Sequence, residues 1–206
     1  MPDKPLNTSY TVCVFCGSSS GSNPAHMQLA KQLGKEIAMR GDRLVYGGGG
    51  LGLMGAAARA AHENGAHVLG IIPEFLSHIE KTFTDADYEI VENMHHRKSR
   101  MYSEADAFIV LPGGIGTLEE AIEVLSWQRL NLHQKPIIFL SDTHYWDAVL
   151  ASLSQIIDDG FAPASFQHAL LSASTVEHAY DLLSKAVEQP LLKHKLHQAK
   201  DESDEN

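Results

Sequence analysis

Residues 111–120, LPGGIGTLEE, set three glycines, a proline and a threonine directly ahead of two glutamates. A turn this bare presents backbone N–H groups to an anion, whereas carboxylates repel one. A site that uses both must hold a phosphate at one point and meet positive charge at another. Upstream, MHHRKSRM (94–101) places Arg97, Lys98 and Arg100 close together behind His95 and His96. On a surface helix such a cluster is a solvated face. Beside the glycine turn, Arg97 could instead offer a bidentate fork to a phosphate or a departing group. Glu120 is equally open to two readings. Thr117-Leu118-Glu119-Glu120 fits a T-x-x-E capping box, in which Glu120 would only reach back to the Thr117 N–H.

Other motifs carry less. GLGLMG (50–55) fits G-x-G-x-x-G, with Glu74 near the place of a ribose-binding carboxylate. Four consecutive glycines at 47–50 make accidental registers easy, and the stretch follows the second strand rather than the first. A nicotinamide cofactor is therefore disfavoured. Cys13 and Cys16 have C-x-x-C spacing but lie on a strand, where positions i and i+3 point to opposite faces. They read as small strand residues. The twelve histidines show no H-E-x-x-H pattern, so no metal and no cofactor are expected.

The elements that must position these residues follow a repeated βα rhythm. Strands are expected at 11–16, 43–46, 67–72, 106–111 and 135–140. Helices are expected at 24–39, 51–64, 94–105, 117–132, 145–158 and 175–187. Asn23 caps the first helix with Pro24 at its first position. Residues 74–92 read as an irregular polar flap, and HALLSA (168–173) as a short apolar piece. Short apolar strands without alternation, each followed by a helix, indicate a parallel sheet covered on both faces. The expected fold is a single-domain, Rossmann-like, doubly wound α/β sheet over residues 11–190. A flexible N-terminus (1–10) and a polar tail (191–206) flank it. Ligands of such sheets bind outside the strands' carboxyl ends. The turns GSSSGS (17–22), GGGG (47–50) and PGGIG (112–116) should gather there around a phosphorylated ligand.

The 206 residues and 44% hydrophobic content suit one domain with a sizeable core. A formal charge of −10 disfavours nucleic acid as the partner, part of it lying in the terminal DESDEN. No apolar run is long enough to span a bilayer, and the first ten residues lack a secretory leader. A cytoplasmic location is expected.

PGGIGTLEE matches the PGGxGTxxE motif of the LONELY GUY (LOG) family, the cytokinin riboside 5′-monophosphate phosphoribohydrolases. MHHRKSRM looks like that family's M-H-x-R-K segment, and CVFCGSSSG and YGGGGLGLMG resemble its first two glycine-rich stretches. The likeness spans about residues 11–187. It implies hydrolysis of the N-glycosidic bond of a nucleoside 5′-monophosphate, giving a free base and ribose 5-phosphate. The family's catalytic arginine and glutamate carry over to Arg97 and Glu120, and its phosphate turn to Gly113, Gly114, Gly116 and Thr117. Ile115, Leu118, Glu119 and Lys98 fall in the same substrate-binding segments, and Glu80 aligns, across a gap, with a substrate-contacting glutamate.

The resemblance also implies at least a homodimer, to which the apolar positions Leu118, Ala121, Ile122 and Leu125 could contribute. Family members have often been labelled lysine decarboxylases, yet no pyridoxal-phosphate site is evident around Lys98. The chemistry agrees with hydrolysis. Breaking a ribosyl C–N bond builds positive charge on the sugar, which a carboxylate stabilises while the glycine turn holds the 5′-phosphate. A non-catalytic nucleotide carrier or sensor is the alternative, and the presence of both Arg97 and Glu120 argues against it. Met94, Met101 and Trp127 could line a pocket for an N6 substituent, leaving prenylated and plain adenine both open.

Overall fold

Strand formation here follows from burial on two sides. TVCVF (β1, Thr11–Phe15), RLVY (β2, Arg43–Tyr46), AFIV (β5, Ala107–Val110) and IIFL (β6, Ile137–Leu140) are nearly continuous apolar runs. Both faces of each are covered by helices, so neither face needs polar residues. In the computed structural model, which describes residues 9–77 and 81–188, these strands join β3 (Val68–Pro73), β4 (Asp87–Val91) and β7 (Leu171–Ala173). Among the described residues they form one parallel seven-stranded sheet of order β4-β3-β2-β1-β5-β6-β7. The doubly wound Rossmann-like sheet is as the sequence predicts.

Two layers pack on this sheet. Val12, Val14 and Cys16 enter one core with α1 (Pro24–Met39), α2 (Gly52–Glu63) and α7 (Val176–Glu188). Cys13 and Phe15 enter the other with α4 (Met94–Glu104), α5 (Ile115–Arg129) and α6 (Asp147–Asp158). The two cysteines therefore face opposite layers as buried free thiols. The start of α1 is built as expected, with the Asn23 side chain accepting from the Ala25 N–H at 3.0 Å ahead of Pro24.

In the flap expected over 74–92, the described residues are more ordered than their sequence suggests. Glu74–Ser77 forms a helical turn (α3), and Asp87–Val91 is the parallel edge strand β4, paired with β3. Only Val91 of β4 is buried, so an edge strand covered on little of its surface reads as polar loop. HALLSA likewise divides into the end of a 3-10 turn (Ala164–Ala169) and the strand β7. The expected tail 191–206 lies outside the described residues, as do all but the last two positions of the expected flexible N-terminus. Among the described residues no helix is long and apolar enough to cross a membrane.

Candidate active site

The winding of the sheet reverses between β1 and β5, which opens a crevice at their carboxyl ends. The turns after these two strands meet there. Gly17 N–H donates to Pro112 O at 3.1 Å, and Gly17 O accepts from Leu53 and Met54 at the start of α2. Gly113 has no space for a side chain, because a Cβ would lie 2.1 Å from Thr117 Oγ1 and 2.8 Å from Gly17 N. The glycine-rich stretches expected at one edge do converge.

The helix α5 begins earlier than its sequence suggests. Gly114 is the N-cap with no side-chain cap, and the helix runs from Ile115. Thr117 is thus the third helical residue and cannot cap, so the T-x-x-E capping box is not formed. The PGGIG turn is itself the opening of the helix, and its first N–H groups lack intrahelical acceptors. Ile115 is 83% exposed, and side chains added at Gly114 or Gly116 would meet nothing within 4 Å. The geometry of this end suits an anion. Thr117 is buried behind it, while Leu118 is partly buried against the core.

Arg97 reaches the crevice from α4, whose start is capped by Asn93 accepting from the His96 N–H. The arginine is only 5% exposed. Its Nε donates to Ile71 O at 3.2 Å and its Nη2 to Gly47 O at 3.3 Å, both carbonyls near the carboxyl ends of β3 and β2. Its Nη1 lies 3.4 Å from Glu120 Oε1. A Cβ on Gly47 would stand 1.9 Å from Nη2, so the glycine run makes room for the guanidinium.

Glu120, in α5, is 4% exposed. Burial lifts its carboxyl from 4.5 to about 7, against the pull of Arg97 and Lys98 and with the help of Glu119 and Glu123. Lys98, one residue beyond Arg97, donates to Glu119 at 2.6 Å and Glu123 at 3.1 Å. Burial presses its pKa down, but those two hydrogen bonds and charges more than offset it and the net shift is upward. Lys98 is held as a charged ammonium, the opposite of what an imine-forming lysine needs.

The cationic cluster of the sequence is therefore divided among three tasks. Arg97 enters the crevice, Lys98 ties α4 to α5, and Arg100 turns away to Glu89 of β4 and to Glu104. His95 and His96 are exposed, with His96 3.4 Å from Glu92. Met101 is core, Trp127 packs edge-on against Tyr102, and Met94 Sδ lies 3.8 Å from Arg97 Nη1. Of the four side chains expected at a subunit contact, Ala121 and Leu125 are buried in the core because that face of α5 covers the sheet. Glu80 lies outside the described residues. The loop after β6 is an unexpected contributor: the Tyr145 hydroxyl donates to Gly113 O at 2.6 Å. Its position at a strand's carboxyl end was the available signal.

Residues 54–183 match a family model described as "Possible lysine decarboxylase". The chain is 41% identical over 190 residues to the "Probable cytokinin riboside 5'-monophosphate phosphoribohydrolase LOG6" of Arabidopsis thaliana, covering 92% of this chain and 94% of that one. It is 45% identical over 163 residues to the cytokinin riboside 5′-monophosphate phosphoribohydrolase LOG7 of the same plant, covering 79% and 75%. Among solved structures, the molybdenum cofactor binding protein of Rippkaea orientalis shares the fold at a TM-score of 0.68 and 24% identity, over 87% of this chain and 98% of that one. With such identity sustained over three quarters or more of each chain compared, this chain belongs to the LONELY GUY family of phosphoribohydrolase enzymes.

Proposed function

We propose that the chain hydrolyses the N-glycosidic bond of adenosine 5′-monophosphates, N6-modified ones included, releasing the free base and ribose 5-phosphate. The observation that carries this reading is the buried Arg97–Glu120 pair beside an uncapped, glycine-lined helix start. The 5′-phosphate sits at the N–H groups of 114–117. As the C1′–N bond breaks, its electron pair leaves with the base and positive charge gathers on the ribose. Ionised Glu120 stabilises that charge and takes a proton from the water that adds to C1′. The base acquires a proton on departure, so the sum is nucleotide plus water giving base plus sugar phosphate. Arg97 aligns Glu120 and favours its ionised form, partly offsetting the effect of burial. The names of the relatives support the same chemistry, and the product of an N6-prenylated substrate is a free cytokinin. We also propose that the chain self-associates, at least as a homodimer.

Incubation with AMP and with N6-isopentenyl-AMP, followed by chromatography for free base, tests the reading. Base release from either supports it, and the ratio of rates identifies the preferred substrate. Adenosine should react ~10²-fold more slowly or worse, since charge-assisted hydrogen bonds to the phosphate are lost. Binding of nucleotide without base release would make the protein a carrier or sensor instead.

A further inference from the structure

We propose that Tyr145 is a positioning residue for the phosphate turn, its hydroxyl locking the Gly113–Gly114 peptide so that the Gly114 amide keeps one orientation. The inference rests on the hydrolytic reading above and extends it to a loop outside the family's motifs.

A trans peptide is planar, so Gly113 C=O and Gly114 N–H point in opposite directions as one rigid unit. With glycine on both sides, no Cβ restrains that plane from rotating. A hydrogen bond to the carbonyl therefore decides where the amide points. Tyr145 supplies it at 2.6 Å. Next to that peptide the turn is open: side chains begun at Gly114 and Gly116 would meet nothing within 4 Å beyond the adjoining backbone.

The loop is built to deliver this one hydroxyl. Ser141 Oγ accepts from the N–H groups of Thr143 and Tyr145, bending the chain just after β6. His144 adopts a left-handed conformation at φ 59, uncommon and costly for a residue other than glycine. Trp146, buried, anchors the far side by donating Nε1–H to Val110 O at 3.1 Å. His26 of α1 is hydrogen-bonded to Thr143 at 2.9 Å. The Tyr145 ring stands edge-on to Trp146 at 4.9 Å and to His26 at 5.4 Å. Yet Tyr145 itself is 44% exposed and contributes little to the core. A strained residue and a buried indole hold an exposed tyrosine against the one carbonyl whose peptide must not turn.

Tyr145→Phe keeps both ring contacts and removes only the donor. The KM for AMP and the Kd of ribose 5-phosphate, measured by calorimetry, should each rise ~3- to 10-fold. kcat should change by less than ~2-fold, since the lost contact is made equally in ground and transition states. The kcat/KM for adenosine, which lacks the phosphate, and the melting temperature should stay at the parent's values. Unchanged ribose 5-phosphate binding, or equal losses on AMP and adenosine, overturns the proposal. If the parent releases no base from AMP, the hydrolytic reading fails while the ribose 5-phosphate titration still decides the role of Tyr145. A parent that binds no ribose 5-phosphate overturns the proposal outright.

Discussion

A carboxylate enclosed as fully as Glu120 ionises only where something replaces its lost hydration. Arg97 replaces part of it, and burial still dominates, leaving the group half protonated near pH 7. Two consequences follow for one substitution. Glutamine keeps the size and an acceptor oxygen but neither the charge nor the basicity. Glu120→Gln should lower turnover by ~10²- to 10⁴-fold while nucleotide binding changes little. The parent's kcat/KM should itself fall as pH drops below about 7, as Glu120 protonates. Stability should move in the other direction. Between 4.5 and about 7 the native state binds more protons at this site than the unfolded chain, so the site's contribution to stability declines as pH rises. A shift of that size corresponds to on the order of 3 kcal/mol. Glutamine does not ionise and escapes this loss. The melting temperature of Glu120→Gln relative to the parent should therefore be higher at pH 8 than at pH 5. A pH-independent difference would show that burial does not raise the carboxyl, and a variant with near-parental rate would remove Glu120 from the mechanism.

Helices and strands bring together what the linear motifs keep apart. Gly47 directly follows β2, Ile71 lies in β3, and the guanidinium they brace belongs to α4. Gly47→Ala should displace Arg97 Nη2, because the new Cβ would stand 1.9 Å from it. A ~1 Å misplacement at a reacting centre costs ~10²-fold, so activity should fall by about that factor with the circular dichroism spectrum intact. Activity within a few-fold of the parent would show that the guanidinium has no fixed post. The sequence makes the strands β1, β2, β3, β5 and β6 legible because burial on both faces leaves uninterrupted apolar runs. The start of α1 is legible through Asn23 and Pro24. The strand β4 is not, since an edge needs no apolar alternation and DYEIV carries two acids. The capping box at Thr117 is misleading for a related reason. Backbone glycines can open a helix without a capping side chain, and no residue type then marks the start. Arg97, Glu120 and the glycine turn are legible as motifs. The brace on Arg97 and the Tyr145 contact depend on strand order, which one chain's residue types do not announce.

At the scale of the molecule, the helix that carries Glu120 also presents exposed apolar residues. α5 opens at the crevice, packs Ala121, Val124 and Leu125 on the sheet, and turns Ile122 outward along with the highly exposed Ile115. The proposed self-association therefore cannot use the face drawn from the helical periodicity alone, because half of it is already core. The outward residues remain, and they flank the carboxylates Glu119 and Glu123 that Lys98 ties down. The edge strand β4 is the other route by which two copies could meet, with Tyr88 and Ile90 exposed. Its acids Asp87 and Glu89 work against strand-to-strand pairing between copies, as charges on edge strands commonly do. An α5-centred contact is the better supported of the two. Light scattering at micromolar concentration should give a mass above that of one 22.5 kDa subunit. Ile122→Arg, a change at a surface position, should lower that mass while the melting profile of the isolated subunit stays cooperative. Tyr88→Arg, at the sheet edge, should leave it unchanged. The reverse pattern would move the contact to β4, and a parent that already scatters as a single subunit would end the proposal of self-association.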